Sequence, residues 1–173
     1  MKKLTILILL AFVGMAGISC NNKSKVAQTA PAPESAVQPG KPQYADSLLM
    51  SFERTPCFGT CPVFVVNVYK SGYATYFGKS NSIYPGLHYA YVDVASIKEI
   101  IKTADELGFF KLNDQYDGGV SDLPYHITVL RNKSVVKKIT NKGGNGIPEG
   151  LIEVERMIEG QFRDVEWKPV AVK

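Results

Sequence analysis

Histidine is scarce in this chain of 173 residues: it occurs only at His88 and His126, and neither belongs to a pair with metal-ligand spacing. A zinc site would have to collect both together with Cys57 and Cys61, and His126, between Tyr125 and Ile127 on a predicted strand, reads instead as a residue of a sheet. Cysteine is nearly as rare, with three in all. Cys57 and Cys61 stand one residue too far apart for a Cys-x-x-Cys redox motif, and no histidine follows Cys61 as c-type haem attachment requires. No Gly-x-Ser-x-Gly elbow is present. Asn141-Lys142-Gly143-Gly144-Asn145-Gly146 is not followed by Lys-Ser or Lys-Thr, so it is no P-loop. Its backbone amides could still meet an anion, although Pro148 removes a donor and Glu149 brings negative charge. Asp114, Asp117 and Asp122 flank Gly118-Gly119, but a calcium loop counted from Asp114 puts tyrosines, Tyr116 and Tyr125, where oxygen ligands are needed. These gaps predict no catalytic residue, no metal and no cofactor. A charge excess is missing too: 20 Lys and Arg face 16 Asp and Glu, and two of the basic residues are Lys2 and Lys3. Nucleic acid is therefore not an expected partner.

The first twenty residues are built differently. Lys2 and Lys3 precede an apolar run from Leu4 to Val13, and small residues lead from Gly14 to Cys20. That is the pattern of a secretion signal rather than of a transmembrane helix. Ile18-Ser19-Cys20 resembles a bacterial lipobox, in which the cysteine thiol is diacylated with chains such as palmitate and becomes the new N-terminus, while Gly17 stands where a branched aliphatic residue is usual. An ordinary secretion signal with a coincidental cysteine is the alternative. Two or three acyl chains hold a protein to a membrane far more firmly than one. The expectation is a signal peptide over 1–19 and lipidation at Cys20. The protein is then membrane-bound through its acyl chains in the cell envelope, on the periplasmic face of the outer membrane. Residues 20–45 are rich in Pro, Ala, Gln and Ser without apolar periodicity, a composition that cannot bury enough surface to fold. As a flexible coil such a tether spans roughly 28 Å.

One domain is predicted over 46–163, with 164–173 as a loose tail. Leu48, Met50 and Phe52 alternate with polar residues, Val63–Tyr69 is strongly β-forming, and Ser71-Gly72 marks a tight turn before Tyr73–Phe77. Leu87–Val92 resumes the alternation. Asp93 can cap a helix whose Val94, Ile97, Ile100, Ile101, Ala104 and Leu107 recur at helical spacing, and Gly108 suits its left-handed end. A second hairpin is predicted from Tyr125–Leu130 and Ser134–Thr140, then a last helix after Pro148 with Leu151, Ile152, Val154, Met157, Ile158 and Phe162 on its apolar side. The fold class is α+β: a mostly antiparallel sheet of about six strands with two helices packed on one face.

Cys57-Phe58-Gly59-Thr60-Cys61-Pro62 with the strand after it, Leu107-Gly108-Phe109-Phe110, and Ser121-Asp122-Leu123-Pro124 before the second hairpin together resemble a bacterial family, domain of unknown function 6438, over residues 47 to 162. The resemblance implies a small envelope or lipoprotein domain and brings no activity, ligand or catalytic residue with it.

Outside the cytoplasm Cys57 and Cys61 are expected to form a disulfide, for which Gly59 supplies the turn. A redox dithiol is the competing reading, but Pro62 and a strand follow Cys61 where a pKa-lowering helix N-terminus would be wanted. Arg131, Lys133, Lys137, Lys138 and Lys142 make the second hairpin basic, suited to an anionic surface or, more simply, to blunting a sheet edge. Glu149, Glu153, Glu155 and Glu159 alternate with Arg156 and Arg163 as a solvated helix face. Tyr69, Tyr73, Tyr76, Tyr89 and Tyr91 fall on neighbouring strands and form the candidate binding face, since amphipathic rings on a sheet can stack on sugars or anchor a protein. The function expected is thus non-enzymatic recognition of an envelope protein or cell-wall component. A redox or metal-dependent envelope enzyme at Cys57 and Cys61, and a structural envelope spacer, are the alternatives.

Overall fold

Period-two alternation along the strands dictates a sheet with one apolar face, and the computed structural model, which describes residues 47–171, shows how that face is covered. The elements in chain order are β1 (Leu48–Arg54), β2 (Val63–Tyr69), β3 (Tyr73–Ser80), β4 (Gly86–Tyr91), α1 (Val94–Glu106), a 3₁₀ turn (Phe109–Lys111), β5 (Gln115–Gly118), β6 (His126–Asn132), β7 (Val135–Gly144), α2 (Glu149–Arg163) and β8 (Lys168–Pro169). They form one sheet in the order β5-β7-β6-β1-β2-β3-β4-β8. Every pairing is antiparallel except β5 with β7.

Register explains the core. Phe52 faces Val66 and Thr128, Val66 faces Tyr76, and Met50 faces Val68 and Leu130. These positions point to the same side and meet Ile97, Ile100, Ile101 and Ala104 of α1 and Leu151, Val154, Ile158 and Phe162 of α2 in one cluster. Both helices therefore lie on one face of the sheet. Asp93 caps α1, accepting from the amides of Ala95 and Ser96 at 3.0 and 3.3 Å. Gly108 ends that helix in the left-handed conformation, φ 79°, and Phe109 behind it is fully buried.

Among the described residues the sheet has eight strands rather than about six. β5 is a four-residue segment with no apolar alternation, and it joins through backbone pairing with β7 that composition does not advertise. β8 has two residues, one of them a proline, at an edge where a missing N–H costs little. It pairs with β4, and Val170 N–H donates to the Leu87 carbonyl at 3.0 Å. The segment from residue 164 is consequently no loose tail up to residue 171: Trp167, 6% exposed, is part of the core. The expected signal peptide, Cys20 and the tether lie outside the described residues.

β1 gives the domain two ends. The chain enters at Ser47, beside the β2–β3 turn and the β6–β7 turn. At the other end of β1 lie the cysteine loop, the β3–β4 loop and the segment before β6. Seven residues of strand separate the two ends, about 20 Å.

Candidate functional site

The end remote from Ser47 carries an aromatic pocket of about 240 Å³. Its walls come from the helix-covered face of the sheet, the β3–β4 loop and the C-terminal part of α2. Tyr76 is the hub. Its ring stacks on Phe64 (centroids 5.1 Å, planes 16° apart), meets Tyr84 edge-on at 5.7 Å, and lies 5.3 Å from Trp167. Phe162 closes the far side, 6.1 Å from Trp167. The Tyr76 hydroxyl lies 2.6 Å from Ser82 Oγ, and burial raises the phenol's pKa although the Ser82 hydrogen bond pulls the other way. Gly78 permits this arrangement: a Cβ there would stand 2.1 Å from the Tyr84 carbonyl oxygen and 2.6 Å from Ser82 Oγ. Only a glycine lets the β3–β4 loop fold back over β3 and bring Tyr84 to the pocket. Ile83 stands at the lip, 84% exposed.

The rim is charged. Arg54 Nη1 donates to Glu159 Oε1 at 3.2 Å, and Arg163 lines the same opening. Arg54 Nε is buried and has no hydrogen-bond partner among the described residues, a donor left for an acceptor to meet. The arrangement combines ring faces for stacking with a guanidinium donor at the mouth.

Beside the pocket, α2 lowers a carboxylate into the core. Glu155, 4% exposed, accepts from Asn141 Nδ2 at 2.7 Å and Thr128 Oγ1 at 3.4 Å, and its Oε2 lies 3.1 Å from His126 Nδ1. Asn141 Oδ1 in turn accepts from the Gly143 amide at 2.9 Å. These bonds join α2 to β6 and β7. The solvated row expected on α2 is thereby corrected: Glu153 is half-buried and pairs with Arg156, Glu159 turns to Arg54, and Glu155 is buried. Its position gave a signal, because 151, 155, 158 and 162 fall on one helical stripe.

The tyrosines do not share one face. Tyr73 is three residues before Tyr76 on the same strand, and an odd separation puts two strand residues on opposite sides. Tyr76 belongs to the pocket. Tyr69, Tyr73, Tyr89 and Tyr91 lie on the side away from the helices. There Tyr73 is within 6.0 Å of Tyr69, 6.3 Å of Tyr89 and 5.7 Å of Tyr91, centroid to centroid. They pack largely on one another, and Tyr91 is the most open of them at 61% exposed.

The sulfurs of Cys57 and Cys61 lie at bonding distance, 1.93 Å, with Cα atoms 5.7 Å apart. The closed loop is held to the segment before β6: Thr55 N–H donates to the Tyr125 carbonyl at 3.0 Å, Tyr125 N–H donates to Thr55 Oγ1 at 2.7 Å, and Phe58 N–H reaches the Asp122 carbonyl at 3.4 Å. Cys57-Phe58-Gly59-Thr60-Cys61-Pro62 and Ser121-Asp122-Leu123-Pro124, distant in sequence, thus adjoin, and Phe58 projects from the loop, 91% exposed.

The basic hairpin is divided. Lys137 pairs with Asp114 and Lys142 with Asp117. β5 covers β7 only from Thr140 on, where Lys142 lies; among the described residues no strand pairs with the outer side of Val135–Ile139, so Lys137 and Lys138 stand on a stretch of open edge. Lys142 holds Asp117 below the ordinary carboxylate range, helped by the Gly119 amide, and is itself raised by Asp117. The glycine run serves close backbone packing: a Cβ on Gly118 would lie 2.4 Å from the Gly143 carbonyl oxygen. Among the described residues no three His, Cys, Asp or Glu side chains gather as a metal site, and no helix is long and apolar enough to cross a membrane.

A search of the curated proteins found no match. The sequence model of the family described as domain of unknown function (DUF6438) matches residues 48–162, from the first residue of β1 to the last but one of α2, and leaves Trp167 beyond its span. The chain belongs to that family.

Proposed function

We propose that this protein is a non-enzymatic recognition domain, lipid-anchored through Cys20 in the cell envelope, that binds an envelope protein or cell-wall component at the end of the domain remote from Ser47. The aromatic pocket around Tyr76 carries this reading. At about 240 Å³ it is smaller than the sites that enclose whole drug-sized ligands, roughly 300–1,000 Å³. It suits one inserted group: an anchor side chain of a partner polypeptide or a single sugar ring laid on an aromatic face. The unpartnered Arg54 Nε and the exposed Ile83 supply the polar and apolar parts of a rim.

The test is a photocrosslinking amino acid at Ile83 in intact cells, with adduct identification by mass spectrometry. One dominant adduct is expected, and Tyr84→Ala with Arg163→Glu should abolish it without lowering protein abundance. The chain has one tryptophan, Trp167, so the identified ligand should also change its fluorescence saturably. Adducts indifferent to the pocket variants would sink the reading. Cys57 and Cys61 support a second, redox reading only if thiol counting without reductant finds them cycling.

A further inference from the structure

Between residues 47 and 171 the sequence holds 14 Lys and Arg and 14 Asp and Glu, so the folded part is formally neutral. Its charges are not evenly spread. At the Ser47 end, α1 and the first residues of β1 bound a pocket of about 570 Å³ lined by Lys70, Lys98, Lys102, Arg131 and Lys133. The single carboxylate in its lining, Asp105, is engaged by Asn132 Nδ2 at 3.2 Å. Among the described residues Lys70, Lys98, Arg131 and Lys133 have no salt bridge, and Lys102 has only long contacts, 3.8 and 3.9 Å, to Glu99 and Glu106. Arg131 Nε donates to the Leu48 carbonyl at 2.9 Å, which fixes the guanidinium at the pocket edge. The floor is apolar, made by Leu49, Val94 and Ile101.

Five like charges around one concavity repel one another and focus a positive potential into it. A group with more than one negative charge relieves that repulsion more fully than a carboxylate does, and an oriented guanidinium matches the oxygens of phosphate. From this geometry we infer that the pocket between α1, the start of β1 and the end of β6 binds a phosphate group borne on a partly apolar molecule. Two sources share that chemistry, the headgroup of an anionic phospholipid and a soluble phosphate ester. The lipid anchor proposed at Cys20 favours the lipid, a preference that rests on that reading. Phosphate binding is independent of recognition at the opposite end.

The full-length chain tests both sources. In the soluble arm, glycerol 3-phosphate is titrated into the protein in detergent micelles and amide shifts are followed by NMR. In the vesicle arm, flotation with phosphatidylcholine alone is compared with phosphatidylcholine containing one quarter phosphatidylglycerol, so that insertion of the apolar N-terminal segment cancels. Saturable shifts at residues 98–102 and 131–133, or a gain in flotation specific to phosphatidylglycerol, supports the site and names its source. Each lysine facing an anionic surface contributes about fivefold. Lys70→Glu with Lys98→Glu should therefore weaken whichever response occurs by at least about 25-fold, and the exposed Lys111→Glu by less than about twofold. The single variants serve if the double one loses its far-ultraviolet circular dichroism. No response in either arm, or a response that the charge reversals leave unchanged, overturns the assignment.

Discussion

Removing the indole of Trp167 tests whether the C-terminal segment belongs to the core. The side chain is 6% exposed, lies 5.3 Å from Tyr76 and 6.1 Å from Phe162, and sits in the same cluster as Phe52 and Val66. A buried indole removes on the order of 200 Å² from water, which at about 25 cal/mol per Å² is about 5 kcal/mol. That is an upper value, since unfolded chains already shield part of their apolar surface. Buried Trp→Ala changes cost about 3–5 kcal/mol, and Trp167→Ala should fall in that interval. For a domain of this length the melting temperature should drop by roughly 10–20 °C. Trp167→Phe keeps a ring against Tyr76 and should recover about half. Ending the chain after Asp164 should destabilise at least as much as Trp167→Ala, because it also removes the β8 pairing with His88 and Tyr89. Urea unfolding followed by circular dichroism at 220 nm gives all three values, and needs no tryptophan signal. A truncated protein with the wild-type midpoint would refute the reasoning: residues 165–171 would then rest on the core without contributing to it.

Glu155→Ala strands Asn141, Thr128 and His126 around a buried void and should cost about 3–4 kcal/mol, whereas Glu155→Gln, which keeps an acceptor, should cost about 1–2 kcal/mol; equal losses in thermal unfolding would contradict the bonding described. Replacing Cys57 and Cys61 together by serine opens a five-residue loop and should lower stability by about 2 kcal/mol, read as a shift of the urea midpoint. An unchanged midpoint would mean that hydrogen bonds to the segment before β6 restrain the open loop equally. The Asp117–Lys142 pair gives β5 a pH dependence at both extremes. Asp117 is depressed below its ordinary 3.8, so its contribution is complete above that value and fades as pH falls through the folded pKa. Lys142 is raised above 10.5, so its contribution is complete below that value and fades as pH rises through the folded pKa. Amide protection at Tyr116 and Gly118 should be level near neutrality and fall at both ends; Lys142→Gln should lower it at pH 7, and identical protection there would show that the pair does not hold the strand.

Much of the fold was legible because local signals and burial agreed. Asp93, the stripe from Ile97 to Ala104 and Gly108 name α1 completely, and the alternation of Met50 and Phe52 with Ser51 and Glu53 fixes which side of β1 is buried. β5 and β8 were illegible for a shared reason. Their place in the sheet comes from backbone hydrogen bonds to an edge that already exists, and such bonds are indifferent to side-chain pattern. The candidate site was legible in its ingredients and not in its assembly. Tyrosine abundance suggested an aromatic surface, but Phe64, Phe162 and Trp167 complete the pocket from elements that no local pattern connects. The split of Tyr73 from Tyr76 could have been read from their spacing alone. Glu155 could have been found by asking what a carboxylate does between Val154 and Ile158 on an apolar stripe.

The disulfide fits this division between what local sequence sets and what the fold assembles. A bond across five residues restricts only its own loop, and it lies at the margin of the sheet instead of joining distant strands. Its stabilisation is modest beside that of burying Trp167, so global stability is a weak account of why the loop is closed. Closure holds Phe58 exposed on a short loop already bonded to Asp122 and Tyr125. Order imposed before a partner arrives removes an entropic cost from binding. The loop and the aromatic pocket lie at the same end of β1, and Arg54, the last residue of that strand, lines the pocket one residue before the loop's Thr55. A partner large enough to insert one group beside Tyr76 and reach past Arg54 would meet the loop as well. Reduction of the disulfide should then weaken binding more than it weakens folding.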